Sequence, residues 1–265
     1  MTLPQFARQV THLATTVTLG PLLLLQGRHV RRVTPVLPEP PGPREGRTGS
    51  GPPLRVLILG DSAAAGVGAS TQDEALSGQL AAALAPRFDV SWKLVARTGA
   101  TTDDALRMVA AMEREPFDVV VISLGVNDVT GGRSPRRWLQ AQSKLVLQLR
   151  QAFGASRFLL SALPPMHLFP ALPQPLRAYL GAQALRYNAA LRQFAQTTQG
   201  CNWVALDLAQ DAAHMARDGF HPGPAIYTAW AARLAEGLSG NQAPFEQTGA
   251  GSGMMPGAIH SEEFS

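Results

Sequence analysis

Short apolar runs recur through the middle of the chain and alternate with longer amphipathic stretches. The runs are LRVLILG (54–60), SWKLVA (91–96), DVVVISLG (118–125), RFLLSAL (157–163) and CNWVALD (201–207). Each is brief and largely apolar, as a strand covered on both faces must be. Helical periodicity fills the intervals, in DEALSGQLAAALA, TTDDALRMVAAMERE, SPRRWLQAQSKLVLQLRQAF and PLRAYLGAQALRYNAALRQFAQTTQ, and PAIYTAWAARLAEGL follows the last run. This alternation predicts an α/β fold: a five-stranded parallel sheet between two layers of helices. In such sheets ligands bind at the carboxyl ends of the strands, which is where chemistry should gather.

The two ends break the pattern. Val10 to Gln26 (VTHLATTVTLGPLLLLQ) is the most apolar stretch near the N-terminus, and the basic run GRHVRR follows it directly. It is marginal for a membrane span and shows no small-residue cleavage site. The expectation is a helix that packs on the domain or lies at a membrane surface, with residues 10–33 making the contact. Basic residues at its end favour the cytoplasmic side. Thr34 to Pro53 is rich in proline and glycine and reads as a linker or extended wrap. Residues 1–53 thus flank a main domain at 54–240, and 241–265 form a tail without periodicity, expected to be disordered. No chemistry-bearing block lies in 1–53, so that segment is expected to be dispensable for whatever chemistry the domain carries.

Length and charge narrow the partners. The 265 residues suffice for one well-buried core. The net charge of +4 owes much to the N-terminal basic run, and no aromatic-studded basic face accompanies it. Nucleic acid is therefore not an expected partner. Cys201 is the sole cysteine, which rules out an intramolecular disulfide and a cysteine-rich metal site. No metal or cofactor is called for.

Four polar blocks fall at the predicted carboxyl edge. GDSAAAGVG (60–68) ends the first strand. RTGATTDDAL follows the second, LGVNDVT ends the third, and ARDGFHPGPAIY lies beyond the fifth. A serine hydroxyl is a weak nucleophile and needs a base. His221 can take the Ser62 proton and return it to a leaving group, and Asp218 can orient the imidazole and stabilise its charge. An attacked ester carbonyl becomes an oxyanion, for which the N–H groups of Ser62 and Gly99 and the Asn127 amide are candidate donors. The small residues from Ala63 to Gly68 clear space around the serine. Asp211 and His214 repeat the Asp-x-x-His spacing, and spacing alone does not separate the pairs; the Gly219–Pro222 turn favours Asp218 and His221.

Taken together, the blocks resemble those of the SGNH, or GDSL-type, serine hydrolases, over roughly Leu54 to Leu238. The resemblance implies a flavodoxin-like three-layer sandwich. It implies Ser62 as nucleophile, Asp218 and His221 as its triad partners, and Ser62, Gly99 and Asn127 as the oxyanion hole. Ala63 stands where the family often has leucine. Members include esterases, lipases, thioesterases and carbohydrate acetylesterases, so the expected function is hydrolysis of a small-molecule ester through an acyl-enzyme. Met166, Leu168, Phe169 and Leu172, in PPMHLFPALPQPL, are candidates to line an acyl or aryl pocket. Two rivals are weaker. A phosphate-cradling binding module lacks the P-loop lysine, and a two-metal phosphohydrolase built on Asp61, Asp128 and His221 is short of ligands.

Overall fold

The structure is a computed structural model describing residues 19–206 and 214–239. The start of the 10–26 stretch, Asp211 and the tail lie outside the described residues. Helix α1 spans 19–33, followed by β1 (Glu45–Thr48), β2 (Pro53–Gly60), α2 (Leu76–Leu84), β3 (Asp89–Ala96) and α3 (Thr102–Ala110). Then come β4 (Val119–Ser123), α4 (Val126–Thr130), α5 (Pro135–Phe153), β5 (Arg157–Ser161), α6 (Leu176–Thr197), β6 (Cys201–Val204) and α7 (Pro224–Ser239).

The sheet order is β1-β3-β2-β4-β5-β6. Strands β2 to β6 run parallel, as the alternation predicts, and β1 adds an antiparallel edge against β3. Strand side chains point alternately to the two faces. On β2, Leu54, Val56 and Ile58 pack with Leu76, Leu80 and Leu84 of α2 and Tyr227, Trp230 and Leu234 of α7. Leu57 and Leu59 face the other layer, with Val109 of α3, Leu145 and Leu149 of α5, and Tyr187 of α6. The helix starts have local causes. Thr101 and Asp104 form a capping box at α3, and Ser134 caps α5 with Pro135 in its first turn. Gly154 ends α5 in the left-handed conformation.

From β2 the chain moves to β3 on one side and later returns to β4 on the other. The loops after these strands diverge around β2, and this topological switch point is where an open α/β sheet forms its crevice. Ser62 lies just beyond β2.

The N-terminal segment is not a loose appendage. Leu23 and Val30 of α1 are buried in the core. Gln26 donates to the Gln174 carbonyl at 2.7 Å and accepts from the Leu176 N–H at 3.1 Å. Residues 39–48 run along β3 and close the sheet edge.

Candidate active site

Ser62 occupies the turn after β2, where the Asp61 carboxylate accepts from the Ala63 N–H at 3.1 Å. That bond fixes the turn and presents the serine at the strand end. Ser62 Oγ lies 2.9 Å from His221 Nε2, and His221 Nδ1 lies 2.5 Å from Asp218 Oδ2. A carboxylate only accepts, so Nδ1 carries the imidazole proton and Nε2 is free to accept from the serine. Asp218 also accepts from the N–H groups of Phe220 and His221, each at 3.0 Å. Burial pushes its pKa up, but the His221 and Phe220 bonds outweigh that and hold it below its ordinary value. His214 is exposed and its carbonyl accepts from Gly223. Of the two Asp-x-x-His histidines, His221 is the one that reaches Ser62.

The small residues after Ser62 serve a purpose the sequence reading missed. Gly68 has φ +103°, and a Cβ there would lie 2.1 Å from the Pro222 carbonyl oxygen. Its lack of a side chain lets the His221 loop close onto the serine loop. Tyr227 reinforces the seam by donating to the Val67 carbonyl at 2.8 Å.

Gly99 and Asn127 stand on the other side of the serine loop. Arg97 donates to the Gly60 carbonyl at 3.3 Å, and Ala100 closes a turn onto Arg97 at 3.0 Å. Gly99, third in that turn, has φ +79°, which a type II turn demands and glycine supplies. Asn127 Nδ2 donates to the Ala100 carbonyl at 3.0 Å and approaches Asp61 Oδ2 at 3.4 Å. The N–H groups of Ser62 and Gly99 donate to no protein atom among the described residues. Asp61 is buried, and this drives its pKa up to about 7 against the pull of the Ala63 N–H and His221. Asp128 is committed elsewhere, to Thr102 and Arg133.

A pocket opens at Ser62 and His221, between the sheet and α7. Its apolar wall includes Leu124, Val126, Leu163, Phe220, Ile226 and Trp230, with Ser161 hydrogen-bonded to the Trp230 indole at 3.1 Å. The space open to the centre of a water molecule is about 50 Å³. Of the four residues proposed from sequence to line it, only Phe169 does so. Met166 and Leu172 are buried in the core instead, and half-buried Leu168 is not in the wall. The reason is the short helical turn Met166–Leu168, which packs against α6 and points Met166 inward. The carboxyl end of β5 (Ser161) and the residue before His221 (Phe220) were better indicators.

Comparison with known proteins identifies the family and the fold. A GDSL-like esterase, Rv1075c of Mycobacterium tuberculosis, is 30% identical over 187 residues, 64% of this chain. The chain spans only 58% of that relative's length. Among solved structures, the psychrotrophic esterase EstA from a Pseudoalteromonas species aligns with a TM-score of 0.51 at 20% identity, over 70% of this chain and 96% of that one. A variant of the acetyl-xylooligosaccharide esterase Axe2 from Geobacillus aligns at 0.54 and 18%, over 73% and 97%. At these identities the two structures speak to the fold. The model of the GDSL-like lipase/acylhydrolase family matches residues 58–242, which holds every one of the four blocks, and the chain belongs to that family.

Proposed function

We propose that the protein is a serine esterase acting on carboxylic esters with a short acyl group. The observation that carries this reading is the hydrogen-bonded line from Ser62 Oγ through His221 to Asp218. In the first step Ser62 Oγ bonds to the ester carbonyl carbon while its proton passes to His221 Nε2. The carbonyl oxygen becomes an oxyanion, met by the N–H groups of Ser62 and Gly99 and by the Asn127 amide. The long Asn127–Asp61 contact is the one this oxyanion would replace. Collapse breaks the bond to the alcohol, which leaves with the His221 proton. Water then repeats the sequence on the acyl-enzyme and releases the acid.

The pocket supports a short acyl chain. By the same measure one water needs about 10–15 Å³, so the space suits roughly two to four carbons. Aryl, alkyl, thiol or acetylated-sugar leaving groups are to be separated by assay. Hydrolysis of a p-nitrophenyl ester series, with Ser62→Ala beside it, tests the proposal. Rates should fall steeply beyond butyrate. A rate maximum at long chains would overturn the acyl assignment, and full activity in Ser62→Ala would overturn the mechanism.

We further propose that the outer face of α1 meets an anionic membrane surface. Five of the seven exposed large apolar side chains among the described residues are Leu22, Leu24, Leu25, Val33 and Val36. Arg28, Arg31 and Arg32 are exposed among them, and residues 19–38 contain no acid. No helix of the described residues is long and apolar enough to cross a membrane. Flotation with phosphatidylglycerol-containing vesicles tests this contact. Arg28→Gln with Arg32→Gln should weaken binding by roughly 30-fold, at about 1 kcal/mol per charge; unchanged binding would refute it.

A further inference from the structure

Glu39 lies in the proline-rich stretch, outside the residues that match the family. Its Oε1 accepts from both the N–H and the hydroxyl of Thr98, each at 2.8 Å. Its Oε2 accepts from Arg44 at 2.9 Å. Arg44 in turn donates to the Ala96 carbonyl and accepts from the Leu94 N–H at 2.6 Å. Thr98 immediately precedes Gly99 and is itself exposed. We propose that Glu39 is a positioning residue that, from an N-terminal strap, holds the Arg97–Ala100 turn and so aims the Gly99 N–H at the oxyanion.

The turn needs such a hold. Within itself it has one backbone hydrogen bond, from Ala100 to Arg97, and its apex is a glycine facing solvent. An oxyanion donor works only within a few tenths of an ångström of its place, and an error of about 1 Å costs on the order of 100-fold. Both polar hydrogens of Thr98 go to Glu39. The strap also grips the serine loop. Gln72 Nε2 bridges the Pro40 carbonyl at 3.3 Å and the Ala65 carbonyl at 2.9 Å, while its N–H donates to Pro41 at 2.9 Å. One extended segment therefore sets the Ser62 loop and the Gly99 turn relative to each other. Burial pushes the Glu39 pKa up, but Thr98 and Arg44 outweigh it and keep the carboxylate below its ordinary range.

This inference rests on the esterase reading, so the experiment carries its own control. In the 265-residue chain, wild type, Ser62→Ala, Glu39→Ala and Glu39→Gln are assayed on p-nitrophenyl acetate and by the rate of covalent inactivation with an aryl phosphonate. Glu39→Ala should lower kcat roughly tenfold with KM within about twofold, and slow phosphonate inactivation by the same factor. Glu39→Gln, which still accepts from Thr98 but sets an NH₂ against the Arg44 guanidinium, should recover part of the loss. Hydrogen exchange should quicken in the 97–100 peptide and little elsewhere. A folded Glu39→Ala with wild-type kcat and inactivation rate overturns the proposal while leaving the esterase reading intact. A wild type no faster than Ser62→Ala overturns the esterase reading and this one with it. If Glu39→Ala does not fold, Thr98→Val, which removes one of the two bonds, must show a smaller loss of the same kind; wild-type behaviour in that variant overturns the proposal.

Discussion

Replacing Asp218 by asparagine separates what this residue does for the fold from what it does for His221. The carboxylate accepts three bonds: two backbone N–H groups on Oδ1, and His221 Nδ1 on Oδ2. Asparagine keeps the two backbone bonds and presents an NH₂ to the imidazole. The ring must then accept at Nδ1 and carry its proton on Nε2, facing Ser62, where it cannot act as a base. The expected loss in kcat is about 10⁴-fold, or roughly 5 kcal/mol of transition-state stabilisation. The stability cost is one charge-assisted bond exchanged for a neutral one, about 1 kcal/mol, or roughly 2–4 °C in Tm for a domain of this size. Asp218→Ala also strands two N–H groups and should cost about 2–5 kcal/mol. The assay is p-nitrophenyl acetate hydrolysis beside a thermal melt. A folded Asp218→Asn keeping more than about a tenth of wild-type kcat would refute the reasoning and leave Asp218 a turn-former only.

Ser62→Ala and His221→Ala should each lower kcat on the order of 10⁴-fold or more with the melt little changed, whereas His214→Ala should be mild; the reverse order for the two histidines would exchange their roles. Asn127→Ala should reduce kcat by roughly 10²- to 10³-fold at constant KM, and a raised KM at constant kcat would make it a ground-state binder. Asp61 gives a pH dependence of stability. Its folded pKa of about 7 stands above the ordinary 3.8, so between about pH 4 and pH 7 the folded chain holds a proton that the unfolded chain has released. Its contribution is full below about pH 4 and is lost as pH rises through about 7, by roughly 4 kcal/mol at most. Urea melts across that range should show a shallower decline in Asp61→Asn, and equal slopes would exclude Asp61 as the source.

The five parallel strands were legible because strands covered on both faces are written as unbroken apolar runs. Strand β1 was not. EGRT (45–48) is exposed at every position and has no apolar alternation, so only its backbone pairing with β3 makes it a strand. The candidate blocks were legible in order and type, because the serine chemistry proposed here requires a base, an orienting acid and oxyanion donors. Choosing between the two Asp-x-x-His pairs took the turn around His221, which Asp218 holds locally and which docks on the serine loop at Gly68. The pocket wall was mostly illegible. An apolar residue reads the same whether it lines a cavity, as Phe169 does, or fills the core, as Met166 and Leu172 do.

Contacts from α1 and the strap cross the expected boundary at residue 53, and two shortened chains put a number on them. Starting the chain at Thr34 removes α1 and with it the buried side chains of Leu23 and Val30. That costs about 1.5–3 kcal/mol for each, an upper bound because the unfolded chain already hides part of them. The strap, the Glu39–Thr98 clamp and β1 all remain, so kcat on p-nitrophenyl acetate should stay within about threefold of wild type. Starting at Gly51 removes the clamp, the Gln72 anchors at Pro40 and Pro41, and the edge strand with its Arg47–Asp89 pair. Exposed ion pairs like that one contribute little, so the larger effects are an uncovered β3 edge and an unheld Gly99 turn. The shorter chain should lose at least about tenfold in kcat even in preparations that melt cooperatively. If it melts cooperatively and matches the Thr34 chain in kcat, the strap covers a sheet edge and nothing more. The catalytic unit would then begin at β2, as the sequence alone suggests.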